Sequence, residues 1–148
     1  MIWKLRTMKT SVDVQLHQRH VTQLMSTDGP LQKFDHDAHV IPLGKTLRRW
    51  GIDELPQFLN VLRGEMSLVG PRPDVVPIDA YQPWQRLRFN VRPGMTGPWQ
   101  VQGKNRTSFR EMMRLDVDYA THHSLWLDTR ILLLTVPSIL QQSADEHD

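Results

Sequence analysis

Cysteine is absent from this chain of 148 residues. That excludes disulfides and thiolate metal sites and permits a reducing cytosol. Aromatic residues are sparse at 7%, yet hydrophobic residues at 39% and charged residues at 23% suit a globular domain with a core better than disorder. No apolar run approaches the roughly 20 residues that a bilayer-spanning helix needs. The longest, Ile131 to Leu140, is interrupted by Thr135, Pro137 and Ser138, and suits closing a core or lying flat at a membrane surface. Met1 to Thr10 is basic and polar, unlike a secretory leader. There is no internal repeat, and no nucleic-acid recognition motif, so no nucleic-acid partner is expected.

The net charge of +2 conceals an asymmetry. Residues 45–114 carry 12 Lys and Arg against 6 Asp and Glu, whereas residues 115–148 carry 1 against 6. A basic middle suits a phosphate-rich ligand or an anionic lipid surface. The plainer alternative is a solvated surface with uneven charge.

Along the chain, Val12 to Met25 reads as a polar helix broken by turn residues at Ser26 to Pro30. Leu43 to Trp50 reads as a short basic helix stopped by Gly51. Asp53 is placed to cap the next helix, with Pro56 in its first turn and an apolar stripe of Leu55, Phe58, Leu59 and Leu62. Arg63 and Gly64 form its C-terminal stop. Met66 to Val69 reads as a short strand. Gly70-Pro71-Arg72-Pro73 is a stiff loop, because its prolines fix two φ angles. Tyr81 to Asn90 reads as helical. Arg92-Pro93-Gly94 and Thr96-Gly97-Pro98 read as turns, and Trp99 to Val101 as extended. Ser108, with Glu111 placed as in a capping box, opens a helix to about His122. Leu125 to Leu140 is a final apolar helix with a break expected near Pro137. The fold expected is α-rich α+β: a single domain over residues 1–140 with few short strands and surface amphipathic helices, then a polar acidic tail at 141–148.

Several segments stand in a telling order: Lys4-Leu5-Arg6-Thr7-Met8, Asp53-Glu54-Leu55-Pro56-Gln57, Met66 to Pro73, Arg92 to Gly97, Trp99-Gln100-Val101, Arg114-Leu115-Asp116 and Ser124 to Asp128. Together they closely resemble the bacterial sugar transferase family, the monotopic polyprenyl-phosphate phosphoglycosyl transferases. The resemblance implies a catalytic pair at Asp53 and Glu54. Asp53 would be the nucleophile that attacks the β-phosphorus of a UDP-sugar, expels UMP and carries the phosphosugar until a polyprenyl (undecaprenyl) phosphate takes it. Glu54 would bind Mg2+. The chemistry suits these types: a carboxylate acts as a nucleophile when the like charges around it are neutralised, and Mg2+ takes one or two carboxylates plus substrate phosphates. Read from spacing alone, the same pair is an ordinary helix cap with an acidic first turn.

Arg72, held between two prolines, is the next candidate, since a guanidinium grips phosphate with two parallel bonds. Arg48 matches a family arginine implicated with the substrate, and Lys4 a family lysine near the membrane; ordinary surface charge is the alternative for both. His17/His20 and His36/His39 have paired spacing without an identifiable third ligand, so no zinc site is expected. The resemblance also implies a membrane hairpin ahead of the Lys4 segment, where these 148 residues begin. The expectation is therefore a peripheral protein at the cytoplasmic face of the bacterial inner membrane. The basic middle and the last helix would dock it weakly on anionic lipid, and a non-catalytic paralogue that binds nucleotide sugar or a partner subunit is the alternative. Sugar identity and oligomeric state are not legible.

Overall fold

The computed structural model describes residues 1–9, 40–74, 76–102 and 107–145. The expected helix at Val12 to Met25, the turn after it and both histidine pairs lie outside these residues. What is described is α+β and rich in helix. It has five α-helices, α1 (Gly44–Arg49), α2 (Gln57–Leu62), α3 (Pro98–Val101), α4 (Phe109–His122) and α5 (Leu125–Asp145), and two strands, β1 (Ser67–Val69) and β2 (Gly94–Thr96). Tight 3-10 turns fill Ile52–Glu54, Ile78–Ala80 and Gln85–Asn90.

The strands pair in parallel, with Ser67 opposite Gly94 and Val69 opposite Thr96. Parallel strands need a long crossover, and here it carries the Pro-Arg-Pro loop and the Gln85–Asn90 turn. The two backbones approach so closely at Gly70 and Gly94 that a Cβ on Gly94 would lie 2.1 Å from the Gly70 nitrogen. The sequence suggested turns over residues 92–98 because glycine and proline dominate there. Only the backbone contact, invisible in local composition, makes Gly94 a strand residue. Trp99 to Val101, expected to be extended, instead forms α3 with Pro98 at its first position, where the missing N–H costs nothing.

Two apolar clusters form the core. Tyr81, Trp99, Phe109, Met112 and Met113 make the first, between α3, α4 and the crossover. Val69, Tyr119 and Ile131 make the second, where α4 and α5 close over the strands. Helix α4 begins as expected: the Ser108 hydroxyl accepts from the Glu111 amide at 3.2 Å. Helix α5 runs unbroken through Pro137 to Asp145, past the expected start of the tail. Beside the apolar contact of Ile131, polar contacts dock it: Tyr119 Oη donates to Asp128 at 2.7 Å, the Thr96 and Thr135 hydroxyls meet at 2.8 Å, and Ser138 donates to the Gln100 carbonyl at 3.1 Å. Leu125, Trp126, Leu133, Val136 and Leu140 remain exposed. No helix among the described residues is long and apolar enough to cross a membrane.

Helix α2 carries the expected apolar stripe on its outer side: Leu55, Phe58, Leu59 and Leu62 all face outward, Leu62 with 83% of its surface exposed. The buried side chains are Gln57 and Asn60. Asp53 does not cap the helix: Pro56 occupies the cap position, with no side-chain bond to the first turn. Gly64, at φ +74°, ends the helix as expected.

Gly94→Ala should therefore cost about 3 kcal/mol, because the colliding atoms are backbone and cannot rotate away. Gly51 has open space around it and a φ of +65°, so Gly51→Ala should cost only about 1 kcal/mol. Urea unfolding of the two variants checks the difference.

Candidate active site

Asp53 and Glu54 lie in the 3-10 turn that follows Gly51, and successive residues in such a turn project about a third of a revolution apart. Asp53 accordingly points inward, 3% exposed at its side chain, while Glu54 points to the rim at 21%. Two distant segments bring cations to them. The N-terminal segment is hooked to the turn by the Leu5 amide, which donates to the Asp53 carbonyl at 2.8 Å. This places Lys4 Nζ 3.1 Å from both Asp53 Oδ2 and Glu54 Oε1. From the other side Arg72 forks onto Glu54, with Nη2 at 2.5 Å from Oε1 and Nη1 at 3.2 Å from Oε2. Lys4, Arg72, Asp53 and Glu54 thus form one cluster.

The charges set the protonation of Glu54. Burial is the largest single influence and would raise its pKa, but the bond and charge of Arg72, with those of Lys4, outweigh it and hold the carboxyl down at about 2. Glu54 is ionised throughout the physiological range. Asp53 Oδ2 is buried and, although near Lys4, accepts no aligned hydrogen bond. Lys4, 42% exposed, covers it.

Arg48 stands apart. Its Nε donates to Thr7 Oγ1 at 2.7 Å, so it fastens α1 to the N-terminal segment, and no contact with the acidic pair is seen among the described residues. Asn60, not singled out from the sequence, lies fully buried on the inner side of α2. Its Oδ1 accepts from the Trp3 amide at 2.9 Å and its Nδ2 donates to the Met1 carbonyl at 2.8 Å, so Asn60 fixes the N-terminal segment that carries Lys4. Its place opposite the apolar stripe was the available signal.

A second cluster was also missed. Arg88 is 2% exposed and reaches four acceptors on three segments. Nη1 donates to Asp74 Oδ2 at 2.7 Å and to Tyr81 Oη at 3.3 Å; Nη2 donates to the Arg72 carbonyl at 2.7 Å and lies 2.7 Å from Asp116 Oδ2. Tyr81 Oη in turn donates to Asp74. Burial pushes Asp116, in α4, up to about 7 against the pull of Arg88, while the paired carboxylates keep Arg88 protonated despite its own burial. Nothing in Leu87-Arg88-Phe89 marks the arginine as the buried member of the three.

Two adjacent carboxylates are thus faced by cations from two separate segments. The sequence pattern described as bacterial sugar transferase matches residues 1–142, and the chain belongs to that family. Its relatives include a galactosyl transferase, CpsE, of Streptococcus agalactiae, 40% identical over 93% of this chain and 31% of its own length. UDP-glucose:undecaprenyl-phosphate glucose-1-phosphate transferases of Caulobacter vibrioides and Escherichia coli are 48% and 38% identical, over 76% and 91% of this chain and 46% and 28% of their own lengths. The chain therefore spans less than half the length of each of these relatives.

The depressed Glu54 pKa has a signed consequence for stability. Its contribution is present above the unfolded value of 4.5 and is lost as pH falls toward about 2. Between pH 6 and pH 3 the unfolding free energy of Glu54→Gln should fall by about 2 kcal/mol less than that of the parent. Urea titrations at the two pH values measure this.

Proposed function

We propose that this domain transfers a sugar phosphate from a UDP-sugar to a polyprenyl phosphate, with Asp53 as the nucleophile. The observation that carries the reading is the convergence of Lys4 and Arg72 on the Asp53–Glu54 pair, joined to the names of the relatives. In the first step an Asp53 oxygen attacks the β-phosphorus. The bond to the bridging oxygen breaks, and UMP leaves with that oxygen. In the second step the acceptor phosphate attacks the same phosphorus and the Asp53 carboxylate is released, so no water enters the balance. Attack requires that Asp53 be uncovered. Lys4 lies against Asp53 and Arg72 holds Glu54, and both would find the donor diphosphate a richer set of acceptors than the carboxylates they now hold. Their movement onto the diphosphate neutralises it and frees Asp53 and Glu54 together.

Mg2+ fits the donor set. It favours hard oxygen ligands, usually one or two carboxylates with substrate phosphates completing the shell, and Asp53 Oδ2 is a buried oxygen with no aligned donor. Glu54, once released by Arg72, would be its protein ligand, and the ion would supply charge neutralisation at the diphosphate.

The outward apolar stripe supports a membrane-facing role for the same region. Phe58, Leu59 and Leu62 on α2, together with Ile2, Trp3 and Leu5 on the adjoining segment, expose apolar surface on the elements that hold the acidic pair. A surface of this kind suits the boundary of a bilayer in which a polyprenyl acceptor is dissolved. We place this at the cytoplasmic face of the bacterial inner membrane, where nucleotide sugars are available.

Asp53→Asn should abolish transfer while leaving the fold intact, since an amide is a poor nucleophile of nearly the same shape. UMP release from a UDP-sugar, with detergent and polyprenyl phosphate present, measures it; undiminished release would remove Asp53 from the role. For the membrane surface, Phe58→Ser combined with Leu62→Ser should weaken sedimentation with anionic vesicles by about tenfold or more. Equal binding by parent and variant would assign docking to α5 or to the basic residues.

A further inference from the structure

The Pro71-Arg72-Pro73 segment is poor in backbone donors, because neither proline has an N–H. Its Pro71 carbonyl is bound by the Gly94 amide at 3.0 Å. Its Arg72 carbonyl is bound by a side chain instead, Nη2 of Arg88 at 2.7 Å. The same guanidinium holds Asp74, immediately after the loop, and Asp116 on α4, and it lies 5.7 Å and 5.5 Å from the ring centres of Tyr81 and Phe89. For stability alone, an apolar side chain packed between those rings would serve as well as a buried ion cluster. An apolar side chain does not tie a loop carbonyl, a loop carboxylate and a helix carboxylate to one rigid plane.

We propose that Arg88 is a positioning residue of the transfer reaction. It pins the backbone of Arg72 against α4, so that the Arg72 side chain pivots between Glu54 and the donor diphosphate from a fixed origin. The proposal rests on the reading of Arg72 as a phosphate ligand given above. A pinned origin matters because the reach of Arg72 is short on both sides: its fork already meets Glu54 at 2.5 and 3.2 Å. A loop displaced by about an ångström loses one partner or the other, and misplacement of that size costs up to about 100-fold in rate.

The test uses Arg88→Met, Arg88→Lys, Arg72→Ala and the Arg88→Met/Arg72→Ala double variant, with Met113→Ala as a core-destabilised comparison. Backbone amide exchange reads the loop without reference to activity. In Arg88→Met the hydrogen-bonded amides at the loop, Gly70 on Thr96 and Gly94 on Pro71, should exchange at least tenfold faster while those of α5 keep their protection, and Met113→Ala should not reproduce that selective pattern. UMP release from a UDP-sugar reads the reaction. Arg88→Met and Arg72→Ala should each lower kcat/KM by about 10- to 100-fold, and the double variant should be no worse than the poorer single, because one acts through the other. Arg88→Lys, which keeps the charge without the planar fork, should fall between parent and Arg88→Met in both measurements, and it decides the matter if Arg88→Met does not fold. Unchanged loop exchange in a folded Arg88 variant overturns the proposal. So do multiplicative effects on kcat/KM, which would mean that Arg88 acts independently of Arg72. If Arg72→Ala alone leaves kcat/KM unchanged, the reading of Arg72 as a phosphate ligand fails and the reaction role of Arg88 falls with it, while the exchange measurement still reports whether Arg88 holds the loop.

Discussion

The grip of Arg72 and Lys4 on Glu54 is the contact around which the other features arrange themselves. A partly buried carboxylate is stable only if its desolvation is offset by charge and hydrogen bonds. Here both offsets come from segments far away in sequence. Each segment then needs its own fastening. Asn60 and the Asp53 carbonyl hold the Lys4 segment, and Arg88 holds the Arg72 loop. The close glycine contact between β1 and β2 sets where that loop begins. Much of the polar interior is thus organised in support of two carboxylates on one short turn.

Helix α2 shows how the fold gives that support and leaves an apolar face outside. A six-residue helix has room for one buried side, and here that side is given to Gln57 and Asn60. Asn60 satisfies both its carbonyl and its amide with the N-terminal segment and Glu65, so its burial leaves no polar group unpaired. The leucines and Phe58 are left for another environment. In a protein that meets only water this would be an inverted helix; beside a lipid surface both faces are matched.

Much was legible where the signal is local. Ser108 with Glu111 announced α4, Gly51 and Gly64 marked the ends of their helices, and the ordered motifs carried the acidic pair and the Pro-Arg-Pro loop. Lys4 and Arg72 could be named before their distances were known. The rest depends on contacts between distant segments. Periodicity says that a helix has two faces and not which one is buried, so the outward turn of the α2 stripe could not be read from it. Glycine and proline around Gly94 look like a turn until a second backbone is found 2.1 Å from where its Cβ would be. Arg88 and Asp116 lie 28 positions apart and meet only when α4 packs on the Gln85–Asn90 turn. Arg48 was named from the family pattern, and its Nε donates to Thr7.

The spread of these residues along the chain bears on how the protein is made. Residues 4, 53, 72, 88 and 116 come together only when the crossover and α4 are in place. Contacts between such distant positions form after the intervening loops have closed, and their closure entropy is met late. A nascent chain that has coiled only its local helices therefore holds the two carboxylates apart from both cations. Reactive chemistry is withheld from the ribosome-bound chain, and a folded domain and a competent site arise as one event.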